Sequence, residues 1–267
     1  MKTDRHIDIM GIVNLTDDSY YAQSRCADVD AALMRIGRMR DEGADIIDIG
    51  ACSTRPGSLP VAENEEWRRL RPVLSALRGT FPDIRVSIDT TRASVVSRAY
   101  DLIGDFIVND ISAGEDDAEM LSLAGRLGLQ FIAMHKRGTP LDMQRNTDYD
   151  DVTEEVISYF HDFALRAEEA GVRDWIADPG FGFAKTVEQN WQLLRDLDRI
   201  VAALGRRCLV GISRKSMITK PLGIATEDAL PATQAAHMAA LMGGAEILRV
   251  HDVAEAARTV TLFRMMA

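Results

Sequence analysis

The sequence predicts an α/β fold: a parallel sheet closed as a (β/α)8 barrel, forming a single domain over 1–267. Three observations carry this. Short β-branched runs alternate with longer amphipathic stretches, as in βα units. About eight such runs occur, and most are apolar at consecutive positions, as strands covered on both faces are. The length of 267 residues suits one such barrel, and no linker, internal repeat or composition break divides the chain.

The elements follow in order. A strand is expected at 7–13, and Asp28 is placed to cap a helix that runs through Leu33, Ile36 and Met39 and stops at Gly43. A strand at 45–50 precedes a helix carrying Trp67, Leu70, Leu74 and Leu77 at three- and four-residue spacing. Pro72 falls inside that pattern; it has no N–H and crowds the preceding turn, so a kink or break is expected there. Strands at 85–89, 106–110 and 130–135 come next, with no helix assigned between them. The remainder alternates: helix 153–170, strand 175–178, helix 187–204, strand 208–213, helix 228–242, strand 247–251 and helix 253–265. Trp67, Trp191 and the methionines read as core.

Composition narrows the function classes. Hydrophobic residues make up 46% and charged residues 27%, ordinary for a globular chain able to bury its own core. A formal charge of -10 repels nucleic acid and anionic membranes, so any anionic ligand must be held by local donors and cations. No apolar run approaches the roughly 20 residues that span a bilayer. The charged N-terminus carries no secretory leader pattern. Cys26, Cys52 and Cys208 are odd in number, without metal-ligand spacing, and are expected as reduced thiols in a cytoplasmic protein.

Nearly every expected strand ends on a polar residue: Asn14, Asp48, Asp89, Asn109 with Asp110, His135, Asp178, Ser213, and Arg249 with His251. Polar residues commonly end strands, but in a closed barrel the C-terminal ends share one rim, where such enzymes place their sites. Carboxylates at Asp48, Asp89 and Asp178 with amides at Asn14 and Asn109 suit a flat heterocycle rich in N–H donors. Lys215, Arg249, His251 and Arg55 are expected to supply cations for an anionic part. Arg249 and His251, two apart, would share one strand face. Ser213-Arg214-Lys215-Ser216 follows a strand and can open a helix whose N–H groups bind an anion.

Together these motifs resemble the dihydropteroate synthase family almost end to end. The residues that carry the likeness are Met10 through Thr16, Ser53-Thr54-Arg55-Pro56-Gly57, Ser87-Ile88-Asp89-Thr90 and Asn109-Asp110-Ile111. Beyond them come Met134-His135, Asp178 through Phe183, Ser213-Arg214-Lys215-Ser216 and Arg249-Val250-His251-Asp252.

The resemblance implies a TIM barrel that forms homodimers and joins a pterin pyrophosphate to p-aminobenzoate. It implies a pterin pocket of Asp89, Asn109, Asp178 and Lys215, with Mg²⁺ at Asn14 and pyrophosphate at Arg249 and His251. The p-aminobenzoate site would use Thr54, Pro56, Phe183, Lys215 and Ser216, with Arg55 on the same loop. Catalysis would rest on positioning and charge stabilisation by Asp89, Asp178, Lys215 and Arg55, without a covalent nucleophile. Four positions depart from the family pattern: Asp17 stands for proline, Tyr20 for phenylalanine, Ala22 for aspartate and Cys52 for glutamate.

Two other readings stay open on the residues alone. A pterin-binding methyltransferase barrel uses similar Asp and Asn residues but needs no pyrophosphate grip. A non-catalytic pterin-binding barrel draws its only support from the altered first loop.

Overall fold

A computed structural model describes residues 5–15, 29–52, 61–139 and 142–266. Eight strands alternate with helices along the chain: β1 (Asp8–Asn14), β2 (Ile46–Gly50), β3 (Arg85–Asp89), β4 (Ile107–Asp110), β5 (Gln130–Met134), β6 (Trp175–Asp178), β7 (Leu209–Val210) and β8 (Ile247–Val250). The pairings are parallel, in the order β6-β5-β4-β3-β2-β1-β8-β7. The two edges then meet: Ala177 bridges Cys208 in parallel, and the Ala177 N–H donates to the Arg207 carbonyl at 3.0 Å. The sheet therefore closes on itself, which leaves no unpaired edge.

Around it lie α1 (Val29–Asp41), α2 (Glu63–Thr80), α3 (Ala93–Ile103), α4 (Met120–Leu127), α5 (Val152–Ala170), α6 (Val187–Arg195), α7 (Leu197–Leu204), α8 (Ser216–Leu222), α9 (Leu230–Met242) and α10 (Val253–Met265). Side chains alternate across each strand, which divides the core in two. Outward residues such as Ile47, Ile49, Val86, Ile88, Val108 and Phe131 pack under the helices. Inward residues Met10, Ile46, Ile107, Ile132, Ile176, Leu209 and Ile247 fill the lumen as a separate apolar layer. At the N-terminal end of the barrel the buried Asp8 is held by Arg85 at 3.0 Å and Arg207 at 2.9 Å, and Arg207 also reaches Glu246.

Several expectations need correction. Of the kink or break expected at Pro72, the break does not occur: α2 continues through the proline, with Leu70, Val73, Leu74 and Leu77 on both sides of it in the core. The helix expected at 187–204 is two, divided at Asp196, whose carboxylate accepts from Thr153 Oγ1 at 2.9 Å. A 3-10 turn, Glu227–Ala229, precedes α9, which carries proline in its first turn. α3 and α4 lie where no helix was expected. The first N–H of α3 is capped from a distance, by Asp117 at 2.8 Å, and α4 is only 8 residues long. The strands expected at 208–213 and 247–251 are shorter, at Leu209–Val210 and Ile247–Val250. Asp28, the expected cap of α1, lies outside the described residues, as does Cys26.

Candidate active site

The same alternation that fills the lumen builds the site. Two residues beyond each inward apolar side chain, the inward position becomes polar: Ile12 gives way to Asn14, Ile46 to Asp48, Ile107 to Asn109, Ile176 to Asp178 and Ile247 to Arg249. On β3 all three inward residues, Arg85, Ser87 and Asp89, are polar, with Arg85 at the N-terminal end, while β5 contributes Met134. An apolar plug thus supports a polar floor at the C-terminal end of the barrel, the end where barrels of this kind carry their chemistry.

One wall of this floor is a charge cluster. Arg249 donates from Nε to Asp48 at 2.7 Å and from Nη2 to Asp89 at 2.9 Å. Asp48, fully buried, also accepts from Ser87 Oγ at 2.7 Å and from Asn109 Nδ2 at 3.2 Å. Asp48 is thereby spent on orienting Arg249 and Asn109. Burial raises the Asp89 carboxyl above the ordinary carboxylate range, against the pull of Arg249. Burial likewise works against the Arg249 charge, but Asp48 and Asp89 more than offset it and hold the guanidinium protonated.

The opposite wall forms around the turn after β6. Asp178 accepts from the Gly180 N–H at 2.8 Å through Oδ1, and among the described residues no hydrogen bond reaches Oδ2. Burial raises its pKa; Lys215, then Arg249 and Lys185, draw it back. Gly180 has φ +72, and a Cβ there would lie 1.9 Å from the His135 carbonyl oxygen, so only glycine fits. Lys215 donates to the Phe181 carbonyl at 2.5 Å, with its ammonium 5.0 Å from the centroid of the Phe183 ring. Burial lowers its pKa to about 8.

Lys215 also stands at the N-cap of α8, which begins at Ser216. The turn before it is braced by Arg214, at φ 56, which forks onto Asp252 at 2.8 and 2.9 Å and reaches the Thr226 and Glu227 carbonyls at 2.8 Å each. Arg214 is therefore committed to the scaffold, and Lys215 is the cation of this motif that faces Asp178.

Three members of the expected rim behave differently. Asp110 points away from the lumen and braces its own turn, accepting from Ser112 N at 2.7 Å, Ser112 Oγ at 2.6 Å and Gly114 N at 2.8 Å. His135 also faces the helical layer, edge-on to Tyr159 at 4.9 Å between ring centroids. His251 lies one residue beyond the end of β8, close enough to feel the Arg249 charge; its Nδ1 sits 3.0 Å from Ser213 Oγ. Burial, then Arg249 and further cations, push the His251 pKa down to about 3, so the ring is neutral where a cation was expected.

Thr54, Arg55 and Pro56 lie outside the described residues, as do Asp17, Tyr20 and Ala22. Cys52 is half-buried, and burial beside Glu66 pushes its thiol up to about 12, which leaves it unreactive. Sequence reasoning passed over Lys185. A single lysine after a glycine-rich stretch looks like a solvated base, yet it is buried beneath the Asp178 turn.

Comparison with known proteins fits this geometry. The pterin-binding enzyme family matches residues 10–251. A probable bifunctional folylpolyglutamate synthase/dihydropteroate synthase of Haloferax volcanii is 43% identical over 249 residues, covering 92% of this chain and 29% of that protein. The chain thus spans under a third of that relative. The dihydropteroate synthase of Yersinia pestis, solved with a sulfonamide drug complex, superposes with a TM-score of 0.93 at 35% identity, covering 100% of this chain and 96% of that one. The chain belongs to the dihydropteroate synthase family. A second member, from Thermus thermophilus in complex with 4-aminobenzoate, superposes with a TM-score of 0.87 at 39% identity, covering 100% and 96%. Membership of the dihydropteroate synthase family favours that family over the methyltransferase reading. Among the described residues no helix is long and apolar enough to cross a membrane.

Proposed function

We propose that this protein condenses 6-hydroxymethyl-7,8-dihydropterin pyrophosphate with p-aminobenzoate, giving 7,8-dihydropteroate and pyrophosphate. The observation that carries it is Asp178: a buried carboxylate with one oxygen oriented by a backbone N–H, beside Lys215 on the polar floor. A pterin edge presents adjacent N–H donors that such a carboxylate accepts in parallel. Asn109 and Asp89 complete the ring contacts. Departure of pyrophosphate takes the C–O bonding pair and leaves positive charge on the pterin methylene, which Asp178 and Asp89 stabilise through the ring. The arylamine lone pair then forms the new C–N bond, and its proton leaves to solvent or phosphate.

Lys215 lies between the two substrates, and Phe183 and Ser216 border the p-aminobenzoate side; the family resemblance adds Thr54, Pro56 and Arg55, which lie outside the described residues. Arg249 and neutral His251 serve the pyrophosphate, His251 as a hydrogen-bonding partner. Asn14 offers one side-chain oxygen at the lumen rim. Mg²⁺ keeps most of its shell for water and phosphate, so a single amide oxygen suits an ion carried by the substrate. An ion held there would supply positive charge against the departing pyrophosphate. Exposed Met242, Leu262, Met265 and Met266, toward the ends of α9 and α10, support a homodimer. Free Cys52 and Cys208 support a cytoplasmic setting.

Mixing the two substrates with Mg²⁺ tests this. Pyrophosphate should appear only when both are present, and a sulfonamide should compete with p-aminobenzoate. Pterin binding without pyrophosphate release would contradict the proposal.

A further inference from the structure

Lys185, in the turn between β6 and α6, has no part in the chemistry above, yet it is only 3% exposed. Its Nζ lies 3.0 Å from the Gly180 carbonyl oxygen, 3.0 Å from that of Phe183, 3.4 Å from that of His135 and 2.9 Å from His135 Nδ1. Burial and the nearby cations push the His135 pKa well down, so its ring is neutral and Nδ1 acts as an acceptor toward the ammonium. Three carbonyls of the 180–183 turn are thus collected by two lysines: Gly180 and Phe183 by the buried Lys185, Phe181 by the half-buried Lys215. Gly180, whose N–H orients Asp178, is tied to Lys185 through its own carbonyl.

An ammonium costs more to bury than a methionine of similar reach, and burial lowers the Lys185 pKa to about 7. Backbone carbonyls alone do not require a full charge. Among the described residues the charged groups facing Lys185 are Asp178, Lys215 and Arg137, and Asp178 is the one of opposite sign. Those facing Asp178 are Lys215, Arg249 and Lys185.

We infer that Lys185 is a positioning residue for the pterin-binding carboxylate: it fixes the 180–183 turn and, from behind the cavity wall, keeps Asp178 ionised. The inference rests on the reading that the pterin ring docks on Asp178. It applies to the free enzyme, before a ligand contributes any charge. Without Lys185, Asp178 would lose one of the three cations that face it among the described residues, and its carboxyl would titrate at higher pH.

Binding of 6-hydroxymethylpterin, followed by calorimetry as a function of pH, tests this on the full chain. Wild type, Lys185→Met, Lys185→Gln and Asp178→Asn are compared, with cooperative thermal unfolding confirming each fold. Affinity should fall on the acid side as Asp178 protonates. In both Lys185 variants the midpoint of that fall should move up by about one pH unit, with affinity near wild type at alkaline pH. Glutamine keeps a donor for the turn carbonyls but carries no charge, so it separates the two parts of the role and serves alone if methionine fails to fold. A uniform loss of affinity in Lys185→Met that Lys185→Gln restores, without a midpoint shift, would overturn the inference. If Asp178→Asn binds as tightly as wild type, the docking reading itself fails. Loss in Asp178→Asn beside an unshifted Lys185→Gln profile overturns the inference alone.

Discussion

Arg249 is the residue whose surroundings say most about how the site is held. Its guanidinium bridges Asp48 and Asp89, so removing it leaves two neighbouring carboxylates in the lumen with no cation between them. Arg249→Ala should therefore lower the unfolding free energy by about 3 kcal/mol, beyond any effect on pyrophosphate. Adding Asp48→Asn should recover part of that loss, and denaturant titration of the single and double variants measures the coupling. A single variant as stable as wild type would mean that the bridge carries no stability. At this scale the lumen residues were legible. Asn14, Asp89, Asn109, Asp178 and Arg249 each end an apolar run, and the period of two fixes their side. Lys185 and the Arg214–Asp252 pair were not, because their partners lie on other turns, and a sequence does not show where turns meet. The neutrality of His251 was equally hidden, since it arises from burial and surrounding cations.

Helices were legible where they carry their own signals. Asp151 caps α5 by accepting from the Thr153 N–H at 2.9 Å and the Glu154 N–H at 3.3 Å, and it also takes Gln192 Nε2 of α6 at 3.1 Å. Asp151→Ala should cost about 1–2 kcal/mol in thermal unfolding, with Asp151→Asn costing less. A shift of zero would mean that the tie to α6 and the cap are both idle. α3 offers the contrast: its first N–H is satisfied by Asp117, 24 residues away, so local reading found no start. The packing of α4 on α5 was invisible for a similar reason. A Cβ at Gly125 would fall 1.9 Å from the Ala170 carbonyl oxygen, which means the two helices touch through backbone there. Gly125→Ala, favourable by helix propensity, should instead destabilise the fold by about 1–3 kcal/mol. A stabilised variant would contradict the close approach.

Taken whole, the molecule is an apolar plug closed by eight strands, with buried charges of both signs on top. That arrangement gives the free protein a particular pH response. Burial pushes the Asp110 carboxyl up to about 6, and raises Asp89 and Asp178 as well. From about pH 4 to about pH 6 these carboxylates hold protons that the unfolded chain has released, but His135, His237 and His251, lowered by burial, lack protons that the unfolded chain keeps, so the two sets oppose each other there. Lys185 and Lys215 are lowered to about 7 and about 8. Above those values the unfolded chain keeps lysine protons that the folded state loses, and stability rises until about pH 9, where the raised Cys52 and Cys208 thiols begin to oppose it. Denaturation across pH should show stability rising from about pH 7 to about pH 9, with a smaller rise in Lys215→Met; stability that falls across that range would contradict these assignments. The barrel itself was legible from the order of its runs, its length and its polar strand ends. Closure through the Ala177–Cys208 bridge was not, because β7 is only 2 residues long.

The central claim is that the polar floor is a pterin site with Asp178 as its acceptor. Calorimetry of 6-hydroxymethylpterin with wild type and Asp178→Asn tests it most directly. The variant should fold as wild type does and lose pterin affinity by at least about 100-fold, since the amide presents a donor to a donor edge. A folded Asp178→Asn protein that binds the pterin with near wild-type affinity would contradict the account.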